Sequence, residues 1–237
     1  RKANYPVSNF QYPISGIEYP ESGFIVTNNQ QILLATACFA PVQYYTKMLM
    51  YKTIYIEQYE NFIKQTWRNR YTILGSNGPI DLIVPVVKSR GPKILIKDLE
   101  ISYDTDWQRN HWRTLFSAYN TSPYFEYYAD DLQPFFERKF RFLFDLNLKI
   151  NEILLDLMEL DNTILLTADF QQVPEGTANY RELISPKEKT PQDLHFLPAS
   201  YTQVFSDKLG FFPNLSMLDL LFNEGPNSYT LLKESIR

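Results

Sequence analysis

The run Ile32-Leu-Leu-Ala-Thr-Ala-Cys38 is apolar at every position but one and stops just before Pro41. A strand apolar on both faces has to be covered on both faces, as in a parallel sheet. Val42 to Met50 then switches to helical spacing, with Tyr45, Met48 and Leu49 on one side, and Thr53-Ile-Tyr-Ile56 reads as a second strand. Two strands bracketing a short helix make a βαβ unit, because parallel neighbours need a crossover connection. The expected fold class is therefore α/β, with a mostly parallel sheet, a β-hairpin excursion and a large helical layer.

The remaining elements follow from the same spacing rules. Tyr71-Thr-Ile-Leu74, the turn Gly75-Ser-Asn-Gly-Pro79 and Ile80 to Val87 predict the hairpin, over 71–87. Lys93 to Ile101 predicts one more strand. Asp104 or Thr105 is placed to cap a helix reaching Tyr119, which ends before Pro123. A long helix is expected from Leu132 to Leu160, where Leu132, Phe136, Phe140, Leu143, Leu146, Ile150, Ile153 and Leu157 form a stripe. Thr163 to Thr167 reads as a strand and 168–200 as a long irregular segment. The last expected element is a helix over Leu215–Asn223, starting near Asn214 or Ser216 and stopped by Gly225-Pro226.

Residues 1–30 differ from all of this. Tyr5-Pro6, Tyr12-Pro13 and Tyr19-Pro20 recur every seven residues, and proline removes backbone donors and favours extended neighbours. They read as an extended N-terminal arm preceding a single α/β domain over 31–237. The arm is the candidate contact for a protein partner.

Composition excludes several function classes. The net charge of −4 comes from dispersed charges, so no broad field draws in nucleic acid or an anionic membrane. The single cysteine, Cys38, rules out an internal disulfide framework and a cysteine-rich zinc site. No apolar run reaches the length of a membrane span and no signal-peptide core is present. The expectation is a cytoplasmic protein, with a leader removed before Arg1 left open. Gly-rich phosphate loops, a Gly-x-Ser-x-Gly elbow and metal-spaced histidine pairs are missing from the sequence.

Three segments carry the candidate chemistry. In Lys64-Gln-Thr-Trp-Arg-Asn-Arg70, an extended backbone would send Arg68 and Arg70 to one face and Trp67, Asn69 and Tyr71 to the other. Two guanidiniums one pleat apart can chelate a phosphate or carboxylate; a solvated turn before the hairpin is the plainer alternative. His111 shares a helical stripe with Trp107, Leu115 and Tyr119. It is either a general base or donor in an aromatic pocket, or a hydrogen-bonded core histidine. Asp219 lies on the apolar face of the last helix, where a carboxylate needs partners. It either closes a Ser216-x-x-Asp219 capping box or orients a group in the site. Asp104-Thr-Asp106 has the form of a metal-diphosphate clamp, but acidic residues are equally expected at a helix start.

Phe39-Ala-Pro-Val-Gln-Tyr-Tyr45, Tyr55 to Arg70, Trp107-Gln-Arg-Asn-His-Trp-Arg113 and Pro213 to Gly225 together resemble the WbqC-like protein family, over about residues 32–226. The resemblance implies a role in bacterial O-antigen or other surface-polysaccharide biosynthesis, as a transferase of an aminoacyl or glycosyl group. It brings forward Trp107 and His111, and Asn223 and Gly225 in the last helix. On this reading His111 and Asp219 are the catalytic candidates. Gln43, Tyr45, Lys64, Trp67, Arg68, Asn69, Arg70, Trp107 and Asn223 would bind a sugar nucleotide or related anionic small molecule. Cofactors are left unassigned, and no metal is expected. A non-catalytic binding protein or partner in envelope biogenesis is the alternative.

Overall fold

The computed structural model describes residues 31–87, 93–170, 173, 176–187 and 189–237; the N-terminal arm lies outside them. Strand β1 (Gln31–Ala35), helix α1 (Val42–Met50) and strand β2 (Thr53–Glu57) form the expected βαβ unit, with β1 and β2 parallel and Ile32 opposite Ile54. The hairpin follows as β3 (Arg70–Gly75) and β4 (Gly78–Ile83), which pair as a separate two-stranded sheet. Its turn closes at Gly78, whose φ of 121° suits glycine.

The helical layer consists of α2 (Trp107–Tyr119), α3 (Phe125–Leu132) and α4 (Leu143–Leu157). The long helix expected over Leu132–Leu160 is thus two helices. Gln133–Phe136 tightens into a 3-10 turn carrying Pro134. The chain then extends, so that the Arg141 carbonyl accepts from the Ile101 amide and the Leu143 amide donates to Leu99. Proline and the charged run Glu137-Arg138-Lys139 override the apolar stripe there. Lys93–Ile101 is correspondingly no strand. It holds a 3-10 turn at Ile96–Asp98 and isolated bridges Asn61–Leu95 and Val86–Ile101. Asp106, rather than Asp104 or Thr105, stands at the N-terminus of α2, without a side-chain cap bond.

Strand β5 (Thr163–Leu166) adds to β2, and the three-residue β6 (Thr177–Asn179) adds to the far side of β1. The order is β5-β2-β1-β6, parallel throughout. A four-residue helix α5 (Ser206–Leu209) precedes α6 (Met217–Glu224) and α7 (Ser228–Glu234), which pack on α1. Ser216 caps α6 as expected, its hydroxyl accepting from the Leu218 amide and donating to the Phe39 carbonyl. The core runs from Ile32, Leu34 and Ile54 through Tyr71 and Ile73 to Leu115, Leu146, Leu220 and Phe222.

Candidate functional site at the carboxyl edge of the sheet

All four parallel strands end on one side, where a ligand site in an open α/β sheet is expected. β1 leaves the small residues Ala35, Thr36 and Ala37 as the floor of a cleft. Tyr44, Trp67, Arg68, Tyr180, Arg181 and Ile184 complete its lining, and it encloses about 250 Å³ with its open mouth included. The Tyr44 hydroxyl donates to the Ala35 carbonyl at 3.0 Å, which holds its ring over the end of β1.

Arg68 reaches the cleft because residues 67–69 form a turn and not a strand. That turn is pinned on both sides. The Cys38 amide donates to the Trp67 carbonyl (2.8 Å), and Asn147 Nδ2 donates to the Arg68 carbonyl (2.8 Å). The side chain then runs inward, and its Nε and Nη2 donate to the two Glu60 oxygens at 2.7 and 2.5 Å. Burial pushes the Glu60 carboxyl above its usual range despite the Arg68 guanidinium, and nearby Glu57 adds to the rise.

A second pair lies beside the first. Glu57, at the end of β2, receives the Tyr59 amide (2.7 Å) and the Thr167 hydroxyl (2.9 Å) on Oε1, and Arg181 Nη1 (3.0 Å) on Oε2. Arg181 Nε also donates to Asn179 Oδ1 (3.2 Å), and its guanidinium stacks 4.7 Å from the ring of exposed Phe170. Arg68 Nη1 and Arg181 Nη2 are in none of these bonds and stay available to a ligand in the cleft. Each guanidinium is backed by a buried carboxylate, so the two pairs are charge-neutral.

A third buried pair braces the segment beyond β6. Lys47 Nζ lies 2.7 Å from Asp193 Oδ2, and Gln43 Nε2 donates to the same oxygen at 3.0 Å. Burial lowers the Lys47 pKa. Burial would raise the Asp193 carboxyl, but the bonds from Gln43 and Lys47 overcome this and hold it below its usual value. Lys47 also lies 5.2 Å from the Tyr180 ring. Burial and the nearby Asp193 charge push the Tyr180 phenol up to about 12.

Of the residues singled out in the sequence, Trp67 and Arg68 line this cleft. Arg70 does not share a face with Arg68: it leaves along β3 and pairs with Asp81 at 3.0 Å. Lys64 is exposed on the preceding turn, and Asn69 Nδ2 holds the Val84 carbonyl. Gln43 serves the Asp193 pair, and Tyr45 is core, edge-on to Tyr44.

His111 and Trp107 lie in the core beneath the hairpin. His111 Nδ1 meets the Tyr71 hydroxyl at 3.1 Å, and Trp107 packs edge-on at 5.1 Å. Burial lowers the His111 pKa from 6.5 to about 4, against the pull of the Ile83 carbonyl. The ring is therefore neutral near pH 7, set among core residues in the manner of a structural histidine. Asp219 is fully buried in α6. It accepts from the Tyr119 hydroxyl (2.7 Å), the Tyr201 hydroxyl (2.7 Å) and Gln203 (2.9 Å), and burial raises its carboxyl. It does not close a capping box with Ser216. Asn223 donates to the Asp219 carbonyl one turn back. The structure brings His111, Asp219 and Asn223 to the core, not to the cleft lining.

A family model described as the WbqC-like protein family matches residues 37–190. The chain belongs to the WbqC-like protein family. Those residues include the turn carrying Trp67 and Arg68 and the β6 exit carrying Tyr180 and Arg181; the segment from 191 onward lies beyond the match. Rv1507c, an uncharacterized protein of Mycobacterium tuberculosis (strain ATCC 25618 / H37Rv), is 27% identical over 195 residues, 73% of this chain and 84% of that protein. No solved structure matches.

The cleft residues missed by sequence reasoning are Thr36, Tyr44, Tyr180 and Arg181, with Glu57 and Glu60 behind them. Glu57 and Glu60 carried a usable signal, since both follow a predicted strand in a parallel sheet. Arg181 gave none within its irregular surroundings. Among the described residues no group of three His, Cys, Asp or Glu side chains is arranged to hold a metal ion. No helix there is long and apolar enough to cross a membrane.

Proposed function

We propose that the cleft binds the sugar portion of a nucleotide- or lipid-linked anionic sugar. The protein would act in the cytoplasm as a transferase, of an aminoacyl or glycosyl group, in bacterial surface-polysaccharide biosynthesis. The observation that carries the binding part is the placement of Arg68 and Arg181 beside Trp67, Tyr44 and Tyr180. Aromatic faces stack on the apolar side of a sugar ring, while fixed guanidinium donors reach its oxygens. Membership of the WbqC-like family supports the pathway.

The second reading is a non-catalytic binding protein in envelope biogenesis. It is favoured by the cleft lining, which among the described residues includes no Cys, His or Lys. Cys38 is fully buried and its thiol is raised far above its ordinary value by burial, which makes it a poor nucleophile.

A thermal-shift screen with UDP-, GDP- and dTDP-linked hexoses tests the binding part. A hit should disappear in the double variant Glu57→Gln/Arg181→Met, which removes one pair without leaving a lone buried charge. Absence of any hit, or a hit unchanged in that variant, overturns it. Incubating the hit with aminoacyl donors and acceptor glycans, and following product by mass spectrometry, separates transferase from binding protein.

A further inference from the structure

The charge balance of the cleft carries one more step, which deepens the sugar-binding reading and rests on it for the ligand's identity. Arg68 and Arg181 are the two cations in the lining, and each faces a carboxylate that is itself removed from solvent, Glu60 at 6% and Glu57 at 1% exposure. Neither carboxylate belongs to the lining. The carboxylates are fixed in turn: Glu60 by two bonds from Arg68, Glu57 by Thr167 and the Tyr59 amide. Seen from the cleft, each pair presents N–H groups without net charge.

A site evolved to seize a free multivalent anion leaves its guanidiniums unopposed, because attraction for the anion scales with uncompensated charge. Neutralised guanidiniums still donate hydrogen bonds, and they suit uncharged oxygens such as hydroxyl, ring and carbonyl oxygens. We infer that Glu57 and Glu60 are specificity-determining residues that tune this cleft to the uncharged, oxygen-rich part of its ligand and against free inorganic phosphate.

The consequence is a gain of binding on mutation. In Glu57→Gln the carboxylate charge is lost and the new amide faces Arg181 with a donor, turning the guanidinium toward the cleft. Isothermal titration with inorganic phosphate at low salt should show at least tenfold tighter binding for Glu57→Gln than for the unaltered protein. Glu60→Gln, acting through Arg68, provides an independent second variant with the same expected direction. Adding Arg181→Met to Glu57→Gln should abolish the gain.

Unchanged or weaker phosphate binding in both folded variants overturns the inference. So does a gain that survives Arg181→Met. Loss of folded protein in both variants overturns it as well, since the pairs would then serve the fold itself. Because phosphate alone is the probe, the experiment reads independently of the sugar-nucleotide screen. A failed screen with a positive phosphate result leaves charge selection standing and removes only the sugar.

Discussion

Glu57 and Arg181 meet at 3.0 Å across the end of β1, the strand that separates β2 from β6. Their pairing is possible because β1 ends in Ala35-Thr36-Ala37, which are small enough to let two side chains meet above them. The partners are unequal: the Glu57 side chain is 1% exposed and that of Arg181 14%. Arg181→Met should therefore cost about 3–5 kcal/mol, by stranding a buried carboxylate. Glu57→Gln should cost clearly less, about 1–2 kcal/mol, since the guanidinium can turn to water. Urea denaturation of both variants checks the asymmetry, and equal losses would contradict it.

His111 makes stability depend on pH. Its pKa falls from 6.5 to about 4 on folding, so the unfolded chain takes up a proton first as the solution is acidified. Its contribution is complete above about pH 6.5 and declines until about pH 4, by up to about 3 kcal/mol. The variant His111→Gln should lose that part of the slope when urea midpoints are compared across this range. Identical profiles would show that the histidine titrates normally.

The Lys47–Asp193 pair predicts a non-additive result. Asp193→Asn leaves a buried ammonium and should destabilise by about 3–5 kcal/mol, and Lys47→Met should do similar damage by isolating the carboxylate. The double variant Lys47→Met/Asp193→Leu should recover much of the loss, giving a coupling energy above about 1 kcal/mol in a double-mutant cycle. Simple additivity would mean that the two groups act separately.

Gly225 ends α6 with φ 54°, and a Cβ there would lie 2.5 Å from the Tyr124 ring. Gly225→Ala combines left-handed strain with a clash against an aromatic side chain, and should lower stability by about 2 kcal/mol or more. Thermal unfolding monitored by circular dichroism measures this; a neutral substitution would require the Tyr124 ring to move without penalty.

The βαβ start, the hairpin and the capped last helix were legible because each rests on local chemistry: an apolar run, a Gly-containing turn, Ser216 before a helix and Gly225 after it. The break after Leu132 was harder to read, since Phe136 and Phe140 keep helical spacing while the backbone leaves the helix to pair with Leu99 and Ile101. β6 has no hydrophobic pattern in Thr177-Ala-Asn179; it is a strand because β1 offers it a free edge. That tertiary origin hid Tyr180 and Arg181. Arg68 was identified but its direction was not, because a turn replaced the expected strand and turned it toward Glu60. The stripe of Trp107, His111, Leu115 and Tyr119 was read correctly as one face, and all four are buried. Whether that face met a cavity or the core depended on β3 and Tyr71, which lie far away in sequence.

The Asn214 side chain accepts from the Gln43 amide at the start of α1, and Ser216 donates to the Phe39 carbonyl, contacts spanning 171 and 177 residues. The loop following β1, just past the cleft floor, is thus fastened by some of the last residues to be synthesised. During translation, strands β1 and β2 and the Arg68 turn emerge long before the segment that locks them. Until then the nascent chain carries an apolar α1 with nothing to cover it. Completion of the binding cleft is consequently a late event, coupled to release of the carboxyl terminus from the ribosome.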